Sequence, residues 1–228
     1  MAYYTDKIRE KFRAALRAAR DELAAGAALR VSVSRENSKM GPVVSVSLLP
    51  FITCPACCAT TCGPLCYAAK IANLYPAALR AYAVNTALLM DRPAEYWTQV
   101  RAAIAGARFF RFHVSGDIPG PAYLENMIRI AQEFPGTEIL CFTKRFDVVN
   151  AQIYARGPLP ANLHILFSGW TNLTPPNPHR LPETNVIERG AEPAPGWTVC
   201  GGNCYECATT GAGCWKASSG DVIAFHVH

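Results

Sequence analysis

An α/β fold, with helices wound around a parallel sheet as a partial (β/α) barrel, is predicted by three features of this sequence. From residue 43 onward, short apolar runs alternate with helical patterns. Repeated strand–helix units imply a parallel sheet with right-handed crossovers. Next, each strand candidate ends in small, polar or aromatic residues: the cysteine loop after residue 49, Ser115-Gly116-Asp117, Thr143-Lys144 and Ser168-Gly169-Trp170. Functional sites of α/β barrels lie at the C-terminal strand ends, so four such ends fit one shared pocket. Finally, five cysteines fall within residues 54–66, directly after the first of these strands.

Taken in order, the chain opens with a helix over 6–25. Ile8, Phe12, Leu16, Ala19 and Leu23 form one apolar stripe, and Gly26 suits its stop. Lys7, Arg9, Lys11, Arg13, Arg17 and Arg20 lie on the other face, diluted by Glu10, Asp21 and Glu22. That reads as a solvated face, with a nucleic-acid contact as the alternative. Alternation gives a short strand over 29–34, a turn over 38–42 and a strand over 43–49. The helical pattern begins near Leu65 and runs on through 71–90. It contains Asn85 and breaks at Tyr75-Pro76. Arg92-Pro93 opens a helix to about residue 105.

A strand over 109–114, a helix over 122–134, a strand over 137–142, a helix over 147–154 and a strand over 163–167 follow. Residues 174–182 are a proline-rich loop, and further strands are expected over 185–189 and 222–227. The expected organisation is an N-terminal helix (1–28), the α/β unit (29–190) and a C-terminal cysteine segment with a final strand (191–228).

Half of the 228 residues are hydrophobic, enough to bury a full core and to exclude a disordered chain. The net charge of +5 permits a nucleotide or nucleic-acid partner without demanding one. Neither a secretory signal nor an apolar run of about 18 residues is present, so no membrane partner is expected. The expected location is cytoplasmic, where thiols stay reduced.

Ten cysteines in a reducing compartment point to metal. Nine fall in two groups, and the isolated Cys141 reads as a buried core residue. Soft thiolates select zinc, copper(I) or iron–sulfur clusters. The late group, Cys200, Cys204, Cys207 and Cys214, is a complete four-thiolate set. It suits structural zinc or an auxiliary iron–sulfur cluster.

Among other candidates, Arg111 and His113 share a strand face by their spacing, either toward a barrel lumen or outward under a helix. Lys144 ends a strand, where it would hold a carboxylate or phosphate or point into solvent. Tyr67 and Trp170 either stack on adenine or a base, or pack in the core. Asp117 either accepts from a ligand ammonium or caps the Asp-Ile-Pro-Gly turn. His226 and His228 lie on one face of the last strand.

The order of strand, cysteine loop, helix, strand and Ser-Gly-Asp resembles the radical S-adenosylmethionine superfamily. The resemblance implies a [4Fe–4S] cluster held by three cysteines, with an open iron chelating the methionyl group of S-adenosylmethionine. One electron would cleave that cofactor to a 5′-deoxyadenosyl radical, and a flavodoxin or ferredoxin would supply the electron. Gly116-Asp117 stands where the superfamily has a Gly-Gly-Glu-like motif. The superfamily's Cys-x3-Cys-x2-Cys spacing is not met in the first loop. Cys200, Cys204 and Cys207 do have it, but they follow the alternating units and have Cys214 beside them.

The chain also resembles a family of phage-encoded "gene product" proteins of unassigned activity. The shared features are Cys54-Pro55, Cys66-Tyr67-Ala68, Asn85, Arg111-x-His113-x-Ser115-Gly116-Asp117, Phe142-Thr143-Lys144 and the late cysteines before a strand ending in histidine. That pattern implies Cys54, Cys62 and Cys66 as cluster ligands, leaving Cys57 and Cys58 unassigned. Tyr67, Ser115, Gly116, Asp117, Ser168 and Trp170 are implied as cofactor contacts, with His113 and Lys144 as catalytic residues. The expected activity is reductive cleavage of S-adenosylmethionine to modify a nucleotide or nucleic acid. The alternative is a non-enzymatic, nucleic-acid-associated zinc protein.

Overall fold

A computed structural model of the chain describes residues 3–37 and 39–227. Among these, β1 (Val33–Ser34), β2 (Val44–Val46), β3 (Phe109–Phe112), β4 (Glu138–Thr143), β5 (Leu163–Ser168), β6 (Glu183–Ile187), β7 (Thr198–Val199) and β8 (Val222–His226) form one sheet. Its order is β1-β2-β3-β4-β5-β6-β8-β7. β1 pairs antiparallel with β2, and every other pairing is parallel. The helices are α1 (Asp6–Ala24), α2 (Tyr67–Leu74), α3 (Pro76–Asp91), α4 (Pro93–Ile104), α5 (Pro121–Glu133), α6 (Phe146–Arg156) and α7 (Cys204–Thr210). The α/β class with a mostly parallel sheet is therefore as the alternation predicts. None of the described helices is long and apolar enough to cross a membrane.

Two apolar layers cover the sheet. Val46, Phe110, Phe112, Ile139, Cys141, Ile165 and Phe167 pack one face against α3 to α6, burying Trp97, Val100, Leu124 and Met127. Phe109, Leu140 and Leu166 pack the other face against Met40, Val43, Trp215 and Ile223. Burial on both faces explains why the strands read as nearly continuous apolar runs. Cys141 is fully buried in the first layer, as expected.

Helix boundaries follow from their first residues. Thr5 caps α1 by accepting from the Ile8 amide. α3, α4 and α5 each place a proline in the first turn, where its missing N–H is not needed. The expected break at Tyr75-Pro76 is thus a complete stop between α2 and α3. Part of the basic face of α1 is paired with carboxylates. Arg9 pairs with Asp6, Arg13 and Arg17 with Glu10, and Arg20 with Asp91, while Glu22 takes Arg80.

The first two strands are much shorter than expected, for a visible reason; β3 and β8 also end earlier, at Phe112 and His226. The Asn85 side chain accepts from Ser32 N at 2.7 Å and donates to Ser32 O at 2.8 Å and Ser47 O at 2.9 Å. It therefore occupies backbone groups that a longer β1 would pair. Beyond Val46, Leu48 N donates to Ser115 O and Leu49 N to Thr86 Oγ1, so the chain leaves the ladder before the cysteine loop. The strand expected over 185–189 lies two residues earlier, as β6. Two of the features singled out in the sequence, Ser38 of the 38–42 turn and His228, lie outside the described residues.

Candidate metal centre and its cavity

The second sheet face carries a cavity of about 920 Å³. Its strand lining is mixed: the polar Ser45 of β2, Arg111 of β3, Thr143 of β4, Ser168 of β5 and Thr184 of β6, with Ser47 just past β2, stand beside the apolar Leu140, Phe142, Val186, Ile223 and Phe225. A buried face of a parallel sheet is ordinarily aliphatic, so the polar members mark a candidate site. The four polar strand ends picked out in the sequence do converge here.

Short 3-10 turns over Ala56–Ala59 and Gly63–Leu65 shape the early cysteine loop. At Gly63 a Cβ would lie 2.4 Å from Cys58 O, so only glycine permits that winding. Cys54, Cys58, Cys62 and Cys66, four residues apart, all line the cavity, whereas Cys57 does not. The Cys58 thiol hydrogen-bonds with those of Cys54 and Cys62, and the Cys66 sulfur caps α2 by accepting from Ala69 N. Cys58 is thus the member that the expected set of Cys54, Cys62 and Cys66 leaves out. Its signal was available in the regular four-residue step.

In the late group, Asn203 caps α7 and the left-handed Gly211 ends it. Trp215 Nε1 donates to Cys204 O at 2.9 Å, closing the segment on itself. Cys200, Cys204, Cys207 and Cys214 all face the same cavity as the early group. Burial raises the Cys214 thiol pKa to about 12, and its three neighbouring thiols push it in the same direction. Burial likewise raises Cys66 to about 11. All ten cysteines are free. Among the described residues, no three histidine, cysteine, aspartate or glutamate side chains stand in a metal-coordinating array.

Cations accompany both groups. Lys144 Nζ donates to Ser168 Oγ at 2.7 Å and lies 5.6 Å from the Trp170 ring centroid. Burial raises the thiol pKa of Cys57 and Cys66, and the bond with Cys58 raises that of Cys62; the Lys144 charge opposes each rise only in part. Arg111 lies with Nη1 3.7 Å from Cys204 Sγ and its guanidinium over Phe142. Positive charge beside thiolates offsets the net negative charge of a thiolate-ligated metal or cluster. Soft donors on one wall, with cations beside them, fit such a group.

Asp117 is buried and engaged. Its Oδ1 accepts from Thr143 Oγ1 at 2.5 Å and Ile118 N at 2.7 Å, and its Oδ2 from Lys144 N at 2.9 Å. It ties the end of β3 to the end of β4. Burial nevertheless holds its carboxyl pKa above the ordinary value. Gly116 sits at φ +84°, where a Cβ would meet Thr53 Oγ1 at 2.6 Å and Leu48 Cβ at 2.8 Å. This glycine therefore lets the Ser115–Asp117 loop dock on the base of the cysteine loop. Tyr67 keeps its ring at the cavity wall and donates its hydroxyl to Val114 O at 2.5 Å. Three buried polar atoms on the wall lack any partner among the described residues: Ser45 Oγ, Arg111 Nε and Ser115 Oγ.

The shared-face expectation for Arg111 and His113 is corrected. His113 adopts φ +61°, a left-handed conformation that breaks strand alternation. Its ring turns to Tyr123, with Nε2 2.9 Å from the Tyr123 hydroxyl, which in turn meets Tyr96. Nδ1 lies 3.8 Å from Cys141 Sγ. Only a buried edge of His113 reaches the cavity. Burial, reinforced by Arg111, lowers its pKa from 6.5 to about 3. Between those values the unfolded chain binds a proton that the folded chain refuses. Stability should therefore fall on acidification through that window, by about 1.4 kcal/mol per pH unit from this group. Urea unfolding of His113→Asn, which tolerates the left-handed region, should show a flatter acid limb. An unchanged slope would contradict the buried neutral imidazole. His226 is exposed at the cavity rim, near Glu188 O at 3.2 Å.

Fold and site together define a mixed α/β protein whose mostly parallel sheet presents two cysteine groups to a single cavity. The chain belongs to the Gene product 88 family, whose profile matches residues 10–212. The match agrees with the gene-product resemblance drawn from the motifs. No curated protein and no solved structure matches the chain.

Proposed function

We propose that this protein is an iron–sulfur enzyme of the radical S-adenosylmethionine type, its sheet a (β/α) barrel left open on one side. The observation that supports this reading is the early thiol row, which opens on a cavity beside Lys144 and the unpartnered, buried Ser115 hydroxyl. Cys54, Cys62 and Cys66 would hold a [4Fe–4S] cluster. With S-adenosylmethionine bound, that cluster supplies one-electron cleavage of the sulfonium carbon–sulfur bond.

This chain's residues would bind and orient. Ser115 Oγ offers a hydrogen-bonding group to the methionyl end. Asp117 keeps one of a carboxylate's roughly four lone-pair directions for an ammonium. Tyr67 and Trp170 present ring faces for adenine. Lys144, steadied by Ser168, holds negative charge at the early thiols and is the catalytic candidate. His113, turned toward Tyr123, acts as a positioning residue. Cys200, Cys204, Cys207 and Cys214 would hold a second [4Fe–4S] cluster or zinc.

The substrate class proposed is a nucleotide or nucleic acid, with flavodoxin or ferredoxin as the electron donor in the host cytoplasm. The non-enzymatic zinc reading loses support from the paired charges of α1, its proposed nucleic-acid face. The test is anaerobic purification with iron, sulfide and zinc analysis. Reduced protein given S-adenosylmethionine should then release 5′-deoxyadenosine and methionine. Zinc in both groups without iron, or an intact cluster that releases neither product, overturns the proposal.

A further inference from the structure

Ser45 Oγ and the Nε–H of Arg111, on the wall between β2 and β3, are not used by the chemistry above. Ser45 and Arg111 are directly opposed in the parallel register of β2 and β3, so both side chains emerge on the cavity face. Ser45 is 2% exposed and its hydroxyl has no partner among the described residues, and the same holds for Arg111 Nε. Arginine carries five N–H donors. The recorded neighbours of its Nη1 are two sulfurs, Met40 Sδ at 3.6 Å and Cys204 Sγ at 3.7 Å, and sulfur is a weak acceptor. Its guanidinium plane is fixed over Phe142, 4.6 Å from the ring centroid. An arginine held rigid by stacking, with a buried N–H to spare, is pre-organised for a planar or tetrahedral oxyanion.

The charge of the cavity points the same way. Lys39, Arg111 and Lys144 line it, and Asp117 is its one acidic lining residue among those described. Asp117 already carries three protein donors. Burial lowers the Lys39 pKa, and the Arg111 charge pushes it the same way while Cys200 and Cys204 oppose. Buried donors without acceptors are destabilising unless a partner arrives. An anion would satisfy Arg111 Nε and receive the Ser45 hydroxyl.

We propose that Arg111 and Ser45 form the recognition site for an oxyanion group of the substrate, a carboxylate or phosphate, beside the late cysteine group. This deepens the enzymatic reading by naming the chemistry that anchors the substrate. The anchor itself needs no cluster and is testable without turnover.

The experiment is a titration of the full-length protein with inorganic phosphate and, separately, acetate, following the Arg111 Nε–H resonance by NMR. That signal is assigned by its disappearance in Arg111→Lys. A saturable shift is expected with one of the two, phosphate marking a phosphoryl group and acetate a carboxylate. Ser45→Ala should weaken binding about 3- to 10-fold, the worth of one hydrogen bond. Arg111→Lys, followed by calorimetry, should weaken it at least about tenfold, because a lysine lacks the guanidinium fork. Cys62→Ala should bind the anion as the unaltered protein does, so a failed cluster assignment leaves this result standing.

The inference is overturned if neither anion saturates, or if both substitutions leave binding unchanged. It is also overturned if Arg111→Lys releases metal from the late cysteines while anion binding persists, since Arg111 would then serve the thiolates alone.

Discussion

Replacing Cys62 by alanine is expected to abolish iron binding at the early loop and reduce 5′-deoxyadenosine release to background. Cys62 is central to the group. Its thiol meets Cys58, feels Cys66 and Lys144, and accepts the Thr61 hydroxyl at 3.9 Å. Loss of a residue that merely orients a metal ligand lowers affinity about 10- to 100-fold, and loss of a ligand should exceed that. Cys57→Ala is the matched control, because Cys57 lies outside the cavity lining and its loss should leave iron content unchanged.

Cys58→Ala decides between two coordination schemes. Iron retained in Cys58→Ala but lost from Cys54→Ala, Cys62→Ala and Cys66→Ala means a three-thiolate cluster with an open corner. Iron lost from all four means that the protein closes every corner, and the S-adenosylmethionine reading fails. Iron and sulfide per chain, measured anaerobically, separates these outcomes. Circular dichroism checks that each variant is folded.

Asp117→Ala is expected to destabilise the fold by about 3–5 kcal/mol, the range for removing one partner from a buried charged network. Thr143 Oγ1, Ile118 N and Lys144 N, all on buried residues, would each lose their acceptor. Each such orphan is destabilising by about 1–3 kcal/mol, with partial relaxation between neighbours. Asp117→Asn should fall between the two. Its amide oxygen can still receive Thr143 and Ile118, but its NH2 then faces the Lys144 amide as donor against donor. Urea unfolding at neutral pH reads both variants. A loss under about 1 kcal/mol for Asp117→Ala would show that the carboxylate does not hold β3 to β4, and would shift its role to the ligand.

The strand–helix alternation, the apolar stripe of α1, the proline-led helices and the location of a site at the strand ends were all legible in the sequence. These depend on local periodicity and on residue types whose conformational limits travel with them. Both cysteine groups were legible as candidates for the same reason. Membership within the early group was not. Cys57 and Cys58 are adjacent in sequence, and only the winding of two 3-10 turns sends one into the cavity and leaves the other outside. Asn85 stood out in the sequence without a role, since its partners, Ser32 and Ser47, are more than thirty residues away.

His113 shows the same limit more sharply. Period-two reasoning is valid only while the backbone stays extended, and one left-handed residue exchanges a cavity-facing imidazole for a core-facing one. The sequence by itself determined the class of fold, the order of most of its elements and the two cysteine groups as candidates, because these follow from short-range pattern and side-chain type. Only the tertiary structure decided that both thiol groups line one cavity and that Asp117 takes three donors in a strand-to-strand network. The same holds for the opposition of Arg111 and Ser45 with donors unmet. Distance, register and burial between remote segments are set by how the whole sheet packs, and no local stretch of the chain encodes them.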